Sequence, residues 1–238
     1  MSIIAENIAR VRESATGAAN NAGRNIEKIT LMAVTKTVAP RQIREAYDAG
    51  IRVFGENRVQ EFGGKIADLN ELPGAEWRMI GHLQTNKAGP AAELFQSIDS
   101  VDSVRLARKL HMAAAQNGKR LRVLIEINIG SEPAKTGVAP ESTEFQNLLA
   151  VAPELSSLDF RGLMTVPPYS DTPEQSRPYF REMREIFTDI SSRHLPAVRM
   201  EVLSMGMSHD FEVAIEEGAT CVRIGTAIFG ERKTRVQD

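Results

Sequence analysis

A closed (β/α)8 barrel of the TIM type, preceded by one extra N-terminal helix, is the α/β fold this sequence predicts. Three observations carry that expectation. Short apolar runs alternate with longer amphipathic stretches, the runs are apolar almost throughout, and eight such units fit within 238 residues. Strands alternating with helices imply a parallel sheet. Strands covered on both faces need apolar side chains on both, which removes strict alternation. Eight units in about 240 residues match a barrel of this kind. An open doubly wound sheet would carry a Gly-rich turn after its first strand, and Val34-Thr35-Lys36-Thr37-Val38 has none. No repeat, low-complexity stretch or linker interrupts the rhythm, so residues 1–238 read as a single domain.

The elements follow in order. Ile3, Ile4, Ile8 and Val11 recur about one turn apart and predict the extra helix over residues 3–20. The first strand is the run from Thr30 to Thr35, ending at Lys36; a helix with Ile43, Ala46 and Tyr47 on one face follows, with Gly50 as its stop. Strands are then predicted at 53–57 and 77–82, each followed by a helical stretch, one through Val59, Phe62 and Ile66 and one around Ala91, Leu94 and Phe95. Residues 97–101 make a weak strand before a helix over 103–117 that Gly118 ends. The run 122–128 is rich in β-branched residues, and a loop with Pro133 and Gly137 leads from it to a helix at 141–151. The last strands are 160–166, 200–205 and 221–225, separated by helices near 173–192 and 209–217.

Composition narrows the function. A formal net charge of −2, with acids and bases interspersed, gives no basic track for a phosphate backbone. Aromatics make up 5% of the chain and do not interleave with basic residues, so a nucleic-acid stacking platform is not expected. The single cysteine, Cys221, rules out an intrachain disulfide and a cysteine-rich metal site, and it reads as a small apolar residue in a buried strand. No two histidines stand at ligand spacing, so no metal is expected. The N-terminus lacks a basic region followed by an apolar run, and no stretch approaches the length of a membrane span. A soluble cytoplasmic protein is the expectation.

In a barrel the C-terminal strand ends meet at one mouth, where function lies. The residues predicted there are polar: Lys36 after the first strand, Asn57 after the second, His82 after the third, Ser204 to Ser208 after the seventh, Gly225 and Thr226 after the eighth. A lysine ending an apolar strand can be partly desolvated, which favours the neutral amine and makes it a nucleophile toward aldehydes. The alternative is a lysine that snorkels to the rim. Gly206 and Gly225 sit beside Ser and Thr where helices begin, with Ser208 read as the N-cap of the helix near His209. Free backbone N–H groups after strands seven and eight form the usual barrel phosphate site; the alternative is that both glycines only serve tight turns. Together, amine and phosphate site point to a phosphorylated aldehyde. Pyridoxal 5′-phosphate (PLP) is the common cofactor of that kind, and sugar-phosphate aldolases follow the same logic.

Six segments, in order along nearly the whole chain, resemble the YggS/PROSC family of PLP homeostasis proteins. They are Ala33-Val34-Thr35-Lys36, Phe54-Gly55-Glu56-Asn57-Arg58, Ile80-Gly81-His82-Leu83-Gln84-Thr85-Asn86-Lys87, Gly162-Leu163-Met164, Leu203-Ser204-Met205-Gly206-Met207-Ser208, and the run from Val222 to Gly230. The resemblance implies a fold similar to the barrel domain of alanine racemase. It implies that Lys36 carries PLP as a Schiff base and that Ser204, Gly225 and Thr226 hold the phosphate. Arg223 would face the pyridine nitrogen, with Asn57 and His82 lining the cofactor. A permanently charged guanidinium there disfavours a second positive charge and weakens PLP as an electron sink. The alternative for Arg223 is a strand arginine satisfied by Glu201 or Glu126. His82 reads as a packing or stacking ring, since no carboxylate partner can be assigned to it. His111 and His194 read as surface residues, and His209 as structural. Lys135 falls where the family has a loop lysine sometimes considered a second PLP contact, although Pro133 and Ala134 depart from the family's usual residues; a solvated loop lysine is the plainer reading.

Two activities are open. One is a non-catalytic PLP-binding protein that stores or delivers the cofactor, or limits its free aldehyde, and meets PLP-dependent apoenzymes transiently. The other is a PLP-dependent amino-acid racemase-like enzyme. Alanine racemases complete their site with a tyrosine from a C-terminal β-domain and its dimer partner. This chain ends soon after the last barrel helix, and of Tyr47, Tyr169 and Tyr179 only Tyr169 falls near the mouth. The first reading is therefore preferred, with a monomer expected.

Overall fold

The computed structural model describes residues 2–69, 71–132 and 135–231. The chain opens on α1, Ile3–Asn21, where the Ser2 side chain caps the helix by accepting from the Ala5 amide at 3.3 Å. Ile4, Ile8, Val11, Ala15 and Ala18 fall on its buried face at spacings of three and four. That face packs the helix where the barrel closes, and the Asn7 side chain donates to the Ile228 carbonyl at 2.8 Å.

Eight parallel strands then close in sequence order: β1 Thr30–Val34, β2 Val53–Glu56, β3 Glu76–Met79, β4 Ser97–Val101, β5 Leu121–Ile127, β6 Leu158–Thr165, β7 Val198–Met207 and β8 Cys221–Ile224. β8 returns to β1 with Thr30 opposite Cys221 and Ala33 opposite Ile224, so the sheet has no free edge. The helices between them are α2 Pro40–Asp48, α3 Val59–Gly63, α4 Ala88–Leu94, α5 Val104–Gln116, α6 Thr143–Val151, α7 Arg177–Ser192, α8 Phe211–Glu216 and α9 Thr226–Phe229. Barrel closure, strand order and strand number agree with the expectation.

Two cores hold this frame. The larger lies between sheet and helices. Within it Phe54 stacks on Trp77, Trp77 meets Phe62, and Phe62 meets Phe95, with ring centroids 4.8–4.9 Å apart. Each such pair adds about 1 kcal/mol beyond the area it buries. Met32, Leu124, Met164 and Cys221 are buried but stand apart from that cluster, among the polar side chains Arg78, Asp99, Ser204 and Arg223. The weak fourth strand is buried at all five positions; its Ser97, Asp99 and Ser100 read as polar only because they serve this hydrogen-bonded interior.

Boundaries differ where close approach or capping decides them. β3 stops at Met79, three residues before His82, because the chain turns at Gly81. β7 runs to Met207, beyond the expected 205, and bulges against both neighbours. Gly162, at φ +152°, is required there: a Cβ would lie 2.7 Å from the carbonyl carbon of Val202. Among the described residues no helix is long and apolar enough to cross a membrane. Pro133 and Ala134, on which the departure of the Lys135 loop turned, lie outside the described residues.

Candidate functional site

The pleat of β1 decides where Lys36 goes. Thr35 continues the ladder, its amide donating to the Gly55 carbonyl at 2.9 Å, and its hydroxyl turns outward to Glu56 Oε1 at 2.7 Å. Successive side chains alternate, so Lys36 shares the inner face with Val34 and Met32. Val34 in turn meets the eighth strand's turn: a Cβ on Gly225 would lie 3.6 Å from that of Val34. Lys36 is half-buried. It is the next inward position after Val34, whose neighbour across the wall is the turn that opens α9.

That start is occupied by a side chain the sequence reading assigned elsewhere. Ser208 Oγ accepts from the amides of Gly225 at 3.1 Å and Ala227 at 3.3 Å. It does not cap α8, whose preceding turn is closed by Asp210 accepting from the Met207 amide at 2.7 Å. Thr226 is exposed between those amides and Gly225 is half-buried. Ser204, expected at the phosphate, stands level with Cys221, and its buried hydroxyl accepts from Arg223 Nη1 at 2.8 Å. The structure thus gives the place beside Gly225 to Ser208, and sets Ser204 beneath it.

Arg223 is 3% exposed. Its second nitrogen donates to the Thr165 carbonyl at 2.7 Å, so the guanidinium spans from β7 to β6 across the interior. Burial pushes its pKa down, against the attraction of Cys221, Asp99, Asp210 and Glu126. Glu201, one of the carboxylates considered for it, lies at the opposite end of the barrel with Arg161. Cys221 is buried as expected, but it faces this charged interior, and burial raises its thiol pKa.

Asn57 and His82 come together through Gly81. A Cβ there would lie 2.8 Å from Asn57 Cα and nearer still to its carbonyl oxygen, so only glycine lets the turns after β2 and β3 touch. His82 Nδ1 lies 3.2 Å from Asp102 Oδ2, a carboxylate partner that sequence reasoning missed. Glu126, at the end of β5, was also missed as a mouth residue. It is 6% exposed, Thr136 donates to its Oε1 at 2.8 Å, and its Oε2 has no hydrogen-bond partner among the described residues. Burial pushes its carboxyl pKa up, with the Asp102 charge adding to the effect.

The remaining candidates are more plainly placed. Lys135 is half-buried, donating to the Pro167 carbonyl at 3.0 Å and paired with Glu132, so it is not a solvated loop lysine. His194 and His209 are exposed, while His111 is half-buried and accepts from the Ser157 amide at 3.2 Å. Among the described residues no group of His, Cys, Asp and Glu is arranged to hold a metal ion. The mouth therefore offers an amine on one wall and hydrogen-bond donors after the last strand on the next. A buried cation and an open carboxyl oxygen complete it. Those groups fit a phosphorylated aldehyde with a polar ring.

Comparison with known proteins bears on the same arrangement. The family model for the alanine racemase N-terminal domain matches residues 3–233. A pyridoxal phosphate homeostasis protein of Aquifex aeolicus is 46% identical over 96% of this chain and 98% of its own length. The structure of PipY from Synechococcus elongatus with PLP bound superposes with a TM-score of 0.80 at 37% identity, covering 95% of this chain and all of that one. An alanine racemase of Clostridium difficile shares the fold alone, at 17% identity and a TM-score of 0.67 over 57% of its length.

Proposed function

From the premise that this chain belongs to the YggS/PROSC family of pyridoxal phosphate homeostasis proteins, we propose that Lys36 holds PLP as a Schiff base and that the protein carries the cofactor without dedicated catalytic turnover. PLP would supply an aldehyde to a neutral amine, water being the leaving group. Lys36 provides that amine. Ser208, Gly225 and Thr226 bind the phosphate group, and Ser204 acts from beneath by fixing Arg223. Arg223 faces the pyridine nitrogen, where its fixed charge disfavours a further proton. Asn57 and His82 line the ring's other side.

The observation that supports this reading is the close approach of Val34 to Gly225, because Lys36 follows Val34 as the next inward position of the same chain segment. We read residues 1–238 as one such domain, acting as a cytoplasmic monomer that meets PLP-dependent apoenzymes only transiently. Storage, delivery and limitation of the free aldehyde all require reversible occupancy of one lysine.

The test is a visible absorbance titration with PLP, wild type against Lys36→Ala, with amino-acid racemisation assayed on the loaded wild type. A Schiff-base band in the wild type alone, with no racemisation, is expected. A band that persists in Lys36→Ala, or turnover of roughly 1 per second or faster, contradicts the proposal.

A further inference from the structure

Behind Lys36, on the outer side of the barrel wall, runs a chain of buried polar contacts that the proposed site does not use. Lys65 Nζ donates to Glu56 Oε1 at 2.8 Å, to Glu61 Oε1 at 2.9 Å and to the Thr35 carbonyl at 3.0 Å. Glu56 Oε1 also accepts from the Thr35 hydroxyl, and Glu61 Oε1 accepts from the Thr37 amide at 2.5 Å. The backbone is thus gripped at the carbonyl of residue 35 and at the amide of residue 37, on either side of Lys36.

Two further facts give the grip a purpose. Thr37 has a φ of +61°, a left-handed conformation that a β-branched residue adopts only where its surroundings impose it. The Glu56 side chain is fully buried and that of Lys65 is 11% exposed. An ion pair taken so far out of water contributes little net stability compared with apolar packing of the same volume; what it supplies is a fixed geometry. Burial pushes the Glu56 carboxyl pKa up despite the Lys65 and Thr35 hydrogen bonds. Glu61 is held low, because Thr37 and Lys65 outweigh its own burial. The cluster includes a full carboxylate at the position that holds the strained amide.

We propose that Glu56, Lys65 and Glu61 are positioning residues: they lock the Thr35–Thr37 turn so that the Lys36 side chain enters the mouth beside Gly225. This rests on the reading of Lys36 as the Schiff-base lysine. None of the three touches the cofactor; each acts through the backbone that carries Lys36. Loosening the turn lets the amine sample positions away from the aldehyde, and a misplacement of about 1 Å costs reacting groups up to a hundredfold.

The experiment compares wild type, Lys65→Met, Thr35→Val and Lys65→Arg for PLP half-saturation and rate of Schiff-base absorbance growth, with circular dichroism and thermal melting as controls. Lys65→Met is expected to weaken half-saturation and slow band formation by about tenfold. Thr35→Val, which removes the hydroxyl's hydrogen bonds to Glu56 Oε1 and the Gly55 carbonyl, is expected to lose about threefold. Lys65→Arg keeps the charge and the donors and is expected to recover most of the loss. Should Lys65→Met not fold, Thr35→Val decides by the same readings. Folded variants that match wild type within experimental scatter overturn the inference, as does a loss that only tracks melting temperature. A wild type that forms no Schiff base at Lys36 removes the parent reading as well, so the two failures are told apart.

Discussion

The two ends of the barrel treat their charges differently. At the base, Asp159 uses both carboxylate oxygens, accepting from Arg161 Nε and from Arg199 Nη2, each at 2.5 Å. Glu201 joins the same arginines, and Glu76 accepts from Arg78 at 2.6 Å and pairs with Arg122 at 2.8 Å. At the mouth, Glu126 keeps one oxygen without a partner among the described residues. The amides that begin α9 are held by nothing larger than the Ser208 hydroxyl. Both ends are built from the same residue types. The difference is whether the hydrogen-bonding capacity is closed within the protein or left for a ligand.

The larger expected effect lies at the base. Burial raises the Asp159 carboxyl pKa, but the Arg199 and Arg161 hydrogen bonds outweigh it and hold the group below its ordinary value. Its stabilising contribution is therefore present above the unfolded-state pKa and is lost as pH falls through the lower folded value. Asp159→Asn is expected to cost about 1–2 kcal/mol near neutrality, a figure kept small because Arg199 is half-exposed. The gap from wild type should narrow toward about pH 3. Melting curves at both pH values check this; an equal gap at both means the carboxylate is not what holds the base together.

At the mouth the sign reverses. Burial sets the Glu126 pKa above its ordinary value, so ionising it costs stability as pH rises from the unfolded-state pKa through the folded one. In the ligand-free protein Glu126→Gln should gain about 1 kcal/mol above neutrality, and nothing at about pH 4, where the native carboxyl is already neutral. Loss of stability at high pH would show instead that Glu126 is paired like the base carboxylates, and the contrast between the two ends would fail.

The sequence shows the barrel and half of the mouth for the same reason. Apolar runs that end in a polar residue mark a strand and its tip together, as at Lys36 and Asn57, and their positions depend only on local pattern. What pattern cannot show is which tips meet across the barrel. Asp102 is 20 residues from His82 in the chain (102 minus 82), yet they pair at 3.2 Å. Ser208 reads as a cap for the helix that follows it, and only the closed sheet brings it to the amides of α9. Ser204 takes its phosphate role from the resemblance alone, and the register of β7 on β8 pairs it with Cys221, a level that local pattern does not show. Glu126 reads from the sequence only as a possible partner for Arg223, since nothing local says that one of its oxygens is buried without a hydrogen bond.

Borohydride reduction of the PLP-loaded protein, followed by peptide mapping, tests the central claim most directly. A single pyridoxyl group on the peptide containing Lys36 is the predicted result. Label on Lys65 or Lys135 in its place, or none at saturating PLP, would contradict the account.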